Sequence, residues 1–298
     1  MTNVLAVDFG GTKTAIAHVD PDGTLRDART LPAAYRLDDS VDQVVEHLAG
    51  APAVGIIVPG IYNPESGHAW CPNLWGADEV PLRAALQEKL SVPVFIDSDR
   101  SGYVLGESWL GAARGLSHVV FVSIGTGIGV GILSHGRVLT GAGGIAGAAG
   151  WFALDPEWRD AYAQTGCWEA ESAGPGVARR AGLKDGHQVV LAARAGDLDA
   201  LAALERAADY TAMGIANLIS ILNPEAVVLG GGFLLGVADL VLDRIKAGIT
   251  RWAQPIAASR CRIELSQLGE RAGVLGAARL ALTGLHASGS VETQGTRT

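Results

Sequence analysis

The feature that most constrains this fold is a unit that occurs twice. Near the N-terminus the apolar run Val4-Leu-Ala-Val-Asp8 leads into Phe9-Gly-Gly-Thr-Lys-Thr14, and a second run follows from Ala15 to Val19. Far downstream, Val119 to Val122 leads into Ser123-Ile-Gly-Thr-Gly127, and Ile128 to Leu133 follows. Each copy reads as strand, Gly-Thr turn, strand, and two copies in one chain indicate internal duplication. A dinucleotide fingerprint or P-loop needs a strand-to-helix turn, so neither is present here. Glycine lets backbone N–H groups approach an anion closely. Gly10, Gly11, Thr12, Lys13 and Thr14, and then Gly125, Thr126 and Gly127, are therefore candidate phosphate cradles, with hydroxyls and one cation to help. Asp8 can hold a magnesium ion through water, because magnesium keeps much of its hydration. A tight hairpin explains either turn alone; a clamp on a triphosphate, made by two halves, explains both.

A candidate base lies between the copies. Val94 to Ile96 reads as a buried strand and Gly102 to Leu110 as a helix, with Ser98-Asp99 at the lip between them. Ligands of open α/β sheets gather at the carboxyl ends of strands. A carboxylate there can take a proton from a substrate hydroxyl, although an Asp in that place also serves as a helix N-cap. Pro59-Gly60 ends another strand, Ala53 to Val58. Asn73 can hydrogen-bond a ligand, while Trp75 reads better as a pin for its loop. A long helical pattern over Leu201 to Leu222 stops at Asn223-Pro224, and the strand Ala226 to Leu229 runs into Gly230-Gly-Gly232. That third glycine loop suits an adenosine lying against backbone. A helix is read from Leu240 to Ile249 and a last one from Gly273 to Leu282. Residues after about Leu285 read as a frayed tail.

Composition removes several classes. The net charge of −8, with no Lys/Arg block, argues against a nucleic-acid partner or an anionic membrane face. No apolar run reaches the roughly 18 residues of a membrane span. Three dispersed cysteines, Cys71, Cys167 and Cys261, and no signal-like start point to a reduced, cytoplasmic protein. A hydrophobic content of 48% over 298 residues supports a substantial core.

Taken in order, Asp8-Phe-Gly-Gly-Thr12, Pro59-Gly60, Ser98-Asp99, Ser123-Ile-Gly-Thr-Gly127, Gly166-Cys-Trp-Glu169, Asn223-Pro224 and Gly230-Gly-Gly232 resemble the ROK family of sugar kinases, glucokinases and repressors. The resemblance runs from about Val4 to Leu282. It implies the duplicated α/β fold of actin-like, ribonuclease H-like ATPases, with two lobes and a central cleft. The lobes would be residues 1–110, with a helix at about 271–285 packing back, and residues 111–270, leaving 286–298 as tail. It implies Asp99 as base for a 6-hydroxyl and puts Gly60, Ser98 and Glu169 at sugar-contacting positions; Asn73, from its own loop, and Trp151, where the family has a histidine, complete the candidate sugar site. ATP with magnesium at Asp8 would sit on the two Gly-Thr loops and on Gly231 and Gly232. It also implies a homodimer. Family repressors carry a helix-turn-helix ahead of the first loop, for which the residues before Asp8 are too few.

The departures bear on the substrate. The family has Asn-Asp where this chain has Ser98-Asp99, and Glu-x-Gly-His where it has Ala148-Ala-Gly-Trp151. That histidine is both a zinc ligand and a sugar contact. The other zinc ligands are three cysteines, of which Cys167 remains while Asp160 and Tyr162 stand for the others. One thiolate does not make the tetrahedral site, so no structural zinc is expected, and Trp151 is expected to fill the space by packing. Loss of polar partners along two sugar edges favours a modified hexose such as kanosamine, an amino sugar. Plain glucose, a C7 cyclitol and a non-catalytic sugar binder are the alternatives. Glu169 and Glu171 can favour a cationic sugar, although Glu171 reads more simply as a solvated helix residue.

Overall fold

The computed structural model describes residues 3–294. It separates into two compact units: Met1–Arg114 with Thr140–Ala146 and Glu270–Thr298, and Gly115–Leu139 with Gly147–Gly269. In chain order the first unit holds β1 (Val4–Phe9), β2 (Lys13–Val19), β3 (Leu25–Pro32), α1 (Leu37–Glu46), β4 (Val54–Val58), β5 (Ile61–Tyr62), β6 (Ala69–Trp70), α2 (Pro72–Trp75), α3 (Leu82–Lys89), β7 (Val94–Ser98) and α4 (Asp99–Leu110). The second holds β8 (Val119–Ile124), β9 (Ile128–Ser134), β10 (Arg137–Val138), α5 (Tyr162–Thr165), α6 (Cys167–Ser172), α7 (Gly174–Arg180), α8 (Gly186–Arg194), α9 (Leu198–Leu222), β11 (Ala226–Gly230), α10 (Gly232–Trp252), α11 (Pro255–Arg260) and β12 (Arg262–Leu265). The last helix, α12 (Arg271–Gln294), belongs to the first unit.

The duplication is explicit in the sheets. One is ordered β3-β2-β1-β4-β7, the other β10-β9-β8-β11-β12. In both, an antiparallel meander precedes two parallel strands. Matching strand ends place Asp8 of β1 opposite Ser123 of β8 in the alignment of the copies. This is the topology of the actin-like ATPase fold.

Central strands β1, β4, β8 and β11 are apolar on nearly every residue because both faces of each sheet are covered. In the first unit Val41 and Val44 of α1 and Leu82 and Leu86 of α3 pack on one face with Leu5, Val7 and Phe9. On the other face α4 and α12 come so close that a Cβ on Gly276 would lie 1.9 Å from the Gly102 carbonyl oxygen. Only glycine permits that crossing. In the second unit Trp168 is fully buried against Phe152 and the backbone of α9 at Gly214.

Several boundaries differ from the sequence reading. Residues 140–146 join the first unit, held there by Arg100, whose Nη2 donates to the Gly144 carbonyl at 2.8 Å. The last helix does not end near Leu282 but continues through Gln294, since each added residue of an existing helix gains a bond at little cost. The expected frayed tail from 286 is helical to that point, and residues 295–298 lie outside the described residues. The helix after β11 starts at Gly232 itself, not near Leu240, so the third glycine loop is short.

Candidate active site

The first unit gathers one half of the candidate residues. Gly10, Gly11 and Thr12 close the β1–β2 turn, where Gly10 N–H donates to the Lys13 carbonyl at 2.9 Å. Asp8 ends β1 beside them, and its carboxylate abuts Gly273 at the start of α12. Asp99 opens α4 directly after β7, and its Oδ1 accepts from the Arg100 N–H at 2.7 Å. It is therefore the first helical residue, not the N-cap, a place taken by Ser98. Burial is the main cause that pushes Asp8 up to about 7, and the nearby Asp99 carboxylate adds to it while Lys13 opposes it. Burial likewise pushes Asp99 up to about 6, against the Arg100 charge. Two carboxylates so placed ask for a cation. Asp8 supplies the hard oxygen that magnesium takes, so the residues fit that ion.

Lys13 is engaged by Glu270, Nζ to Oε1 at 2.8 Å, on the surface. Thr14 is not on the open loop: it pairs with Phe9 inside the sheet, fully buried, so its hydroxyl does not reach a phosphate placed on the turn. A cavity of about 380 Å³ opens at this turn, lined by Asp8, Gly10, Thr12, Lys13, Arg29, Tyr103 and Arg271 among others. Arg29, Tyr103 and Arg271 were not singled out from sequence, because no local pattern marks them.

Of the sugar-side residues in this unit, Gly60 is required by packing, since a Cβ there would lie 2.1 Å from the Trp70 carbonyl oxygen. Asn73 is exposed beside Gly11. Trp75 pins its loop as expected, donating to Ser40 Oγ at 2.9 Å and meeting Phe9 edge-on. Ser98 is buried, with its hydroxyl paired to that of Ser101 at 3.2 Å.

The second unit gathers the rest. Gly125, Thr126 and Gly127 close the β8–β9 turn. Gly231, at φ +91°, lies so near Ile124 that any side chain would collide with its backbone. Gly232 then begins α10, whose N-terminal N–H groups favour an anion. A cavity of about 720 Å³ is lined by Gly125, Thr126, Gly232 and Phe233, with Gly174, Pro175, Gly186, His187 and Val190. Phe233, His187 and the Gly174-Pro175 wall were missed, although Gly-Pro and Asp185-Gly186 are turn signals.

Glu169, in α6, accepts from the Ile128 N–H at 2.7 Å and lies against Gly127 and Gly150. Burial raises its pKa and the Ile128 bond lowers it. Trp151 is 58% exposed, so it does not fill the core as expected. Phe152 and Trp168 do that instead: they stack on one another, while of the turn Ala149–Trp151 the first two residues are buried and only the Trp151 side chain is left outside. Nor is Glu171 a solvated residue or a group free to meet a cationic sugar. It is 3% exposed and bound by three arginines.

The sequence profile of the ROK family matches residues 4–283. The glucokinase of Thermotoga maritima is 31% identical, over 93% of this chain and 96% of its own. This chain belongs to the ROK family. A ROK hexokinase structure from Thermus thermophilus has a TM-score of 0.84 at 29% identity, covering 96% of this chain and 99% of the other. A ROK glucokinase from Streptomyces griseus in complex with glucose and AMPPNP has a TM-score of 0.77 at 28% identity, over 94% and 99%. Asp160 is exposed, Tyr162 is turned to Glu171, and among the described residues no group of three or more His, Cys, Asp or Glu is placed to hold a metal.

Proposed function

We propose that this chain is an ATP-dependent sugar kinase that phosphorylates the 6-hydroxyl of a glucose-like hexose, with Asp99 as the base. The observation that carries this is the Asp99 carboxylate at the β7–α4 junction, raised to about 6 by burial beside Asp8. A base near neutrality is ionised at working pH yet strong enough to accept a hydroxyl proton. Phosphoryl transfer otherwise needs alignment and charge neutralisation more than covalent help.

The residues divide the work. Backbone N–H groups of Gly10, Gly11, Thr12, Gly125, Thr126 and Gly127 cradle phosphates. Gly231, Gly232 and the wall formed by Phe233 take the nucleoside. Magnesium at Asp8, when bound, would neutralise the phosphate oxygens. Asp99 accepts the 6-hydroxyl proton as that oxygen attacks the γ-phosphorus and the bond to ADP breaks. The relatives named glucokinase and the neighbour holding AMPPNP support the donor and the substrate class. Supporting a modified hexose, Ser98 spends its hydroxyl on Ser101, and Ala148 and Trp151 offer no carboxylate or imidazole. With Glu171 already neutralised, an amino sugar such as kanosamine rests on those three positions. Plain glucose is the second reading, favoured by the relatives' names. We further propose a zinc-free, homodimeric cytoplasmic protein; among the described residues no helix is long and apolar enough to cross a membrane.

The test is ADP release with Mg-ATP against glucose, mannose, glucosamine, N-acetyl hexosamines, kanosamine and C7 cyclitols. Turnover on a hexose, abolished in Asp99→Asn while ATP still binds, is the expected result. Normal rates in that variant would remove Asp99 from the mechanism.

A further inference from the structure

Glu169 and Glu171 sit two residues apart on α6. On a helix that spacing turns the side chain by about 200°, so the two carboxylates leave opposite sides. Glu169 goes to the β8–β9 turn, where it holds the Ile128 N–H. Glu171 goes the other way, into a cage. Its Oε1 accepts from Arg159 Nη1 at 2.8 Å and from the Tyr162 hydroxyl at 2.7 Å. Its Oε2 accepts from Arg180 Nη2 and, at 3.4 Å, from Arg206 Nε. A second carboxylate balances the arginines: Asp155 Oδ2 accepts from Arg159 at 3.2 Å and from the Tyr210 hydroxyl at 2.6 Å.

The cage therefore ties α5, α7, α9 and the segment before α5 to one atom group on α6. By the resemblance, the family's zinc positions fall on Asp160, Tyr162 and Cys167, in the segment before α5, in α5 and at the start of α6, three of the pieces that this cage joins. A metal there would cross-link backbone segments through a central charge; here a buried anion surrounded by cations does the same with signs reversed. Burying charge is costly unless each is paired and hydrogen-bonded, which this arrangement satisfies. Because α6 is a short rigid rod, fixing Glu171 fixes the rotation and height of Glu169.

We propose that Glu171 is a positioning residue: its arginine–tyrosine cage takes the place of the family's zinc and sets the Glu169 carboxylate for substrate. The proposal rests on the sugar-kinase reading for its kinetic arm alone. The protein, purified without chelator, is expected to hold no stoichiometric zinc and to keep its activity after 1,10-phenanthroline. Glu171→Gln removes the charge, and Tyr162→Phe removes one buried bond at less risk to folding. Loss of one such bond is worth about fivefold. Tyr162→Phe is therefore expected to raise the sugar KM about fivefold, and Glu171→Gln more, with the Mg-ATP KM unchanged and Glu171→Asp recovering part of the loss. Independently of activity, the Ile128 amide is expected to lose hydrogen-exchange protection in both variants, since its acceptor is Glu169. One zinc per chain would overturn the proposal. So would folded variants with native sugar KM and native Ile128 protection, or equal rises in both KM values. A wild type inactive on every sugar would defeat the kinase reading, and Ile128 protection would still decide this one.

Discussion

As the proposed base, Asp99 must be ionised to accept a proton, and burial raises it to about 6, with Asp8 at about 7 above it. In the free enzyme both ionisations enter kcat/KM. We expect kcat/KM to decline below about pH 7 and to steepen below about pH 6. A profile flat from pH 5 to 8 would show that neither carboxylate titrates in that range in the free enzyme. The strand ends and glycine turns that carry the candidate residues were legible at this scale because they have local signatures. Glu171 was not: its partners Arg159, Arg180 and Arg206 come from three other elements, and nothing in the residues around Glu171 announces them. Thr14 shows the same limit in reverse. Its place in a loop motif suggested a phosphate ligand, while strand pairing carried it inside.

Among elements, the crossing of α4 and α12 is the most sensitive to change. A methyl on Gly276 would drive into the Gly102 carbonyl, one turn beyond Asp99. Overpacking of this kind costs about 1–3 kcal/mol. Gly276→Ala should lower the thermal midpoint by several degrees and reduce kcat more than it raises the Mg-ATP KM. An unchanged midpoint would mean that the helices move apart freely. Strands and long helices were legible because their apolar runs and terminators are local. The stretch from Gly141 to Arg194 was not, since its short helices and turns are set by Gly144 against Tyr62, by the Phe152–Trp168 stack and by the arginine cage. The return of 140–146 to the first unit likewise rests on long-range contacts, the Arg100 bond to Gly144 and the packing of Gly144 on Tyr62.

For the whole molecule, the raised carboxylates work against folding as pH rises. Free Asp titrates near 3.9. Between about pH 4 and pH 7 the folded chain keeps protons on Asp8 and Asp99 that the unfolded chain has lost. Their contribution is thus most favourable at the acid end of that window and fades toward neutrality. In the absence of magnesium and nucleotide, Asp8→Asn should gain stability over wild type as pH goes from 5 to 8. Denaturant titrations at those pH values measure it, and a difference independent of pH would show that Asp8 is not titrating in the fold.

The two sheets share one order and one pattern of direction, yet where β1 ends in Asp8, β8 has Ser123. A chain made by copying a sheet begins with no preferred end. Here one hydroxyl for one carboxylate breaks that equivalence: Asp8 and Asp99 stand beside the first turn, whereas the carboxylate that meets the second, Glu169, comes from a helix and is held by the Ile128 N–H. The difference between the halves is thus written in side chains, while the sheets that carry them remain twins.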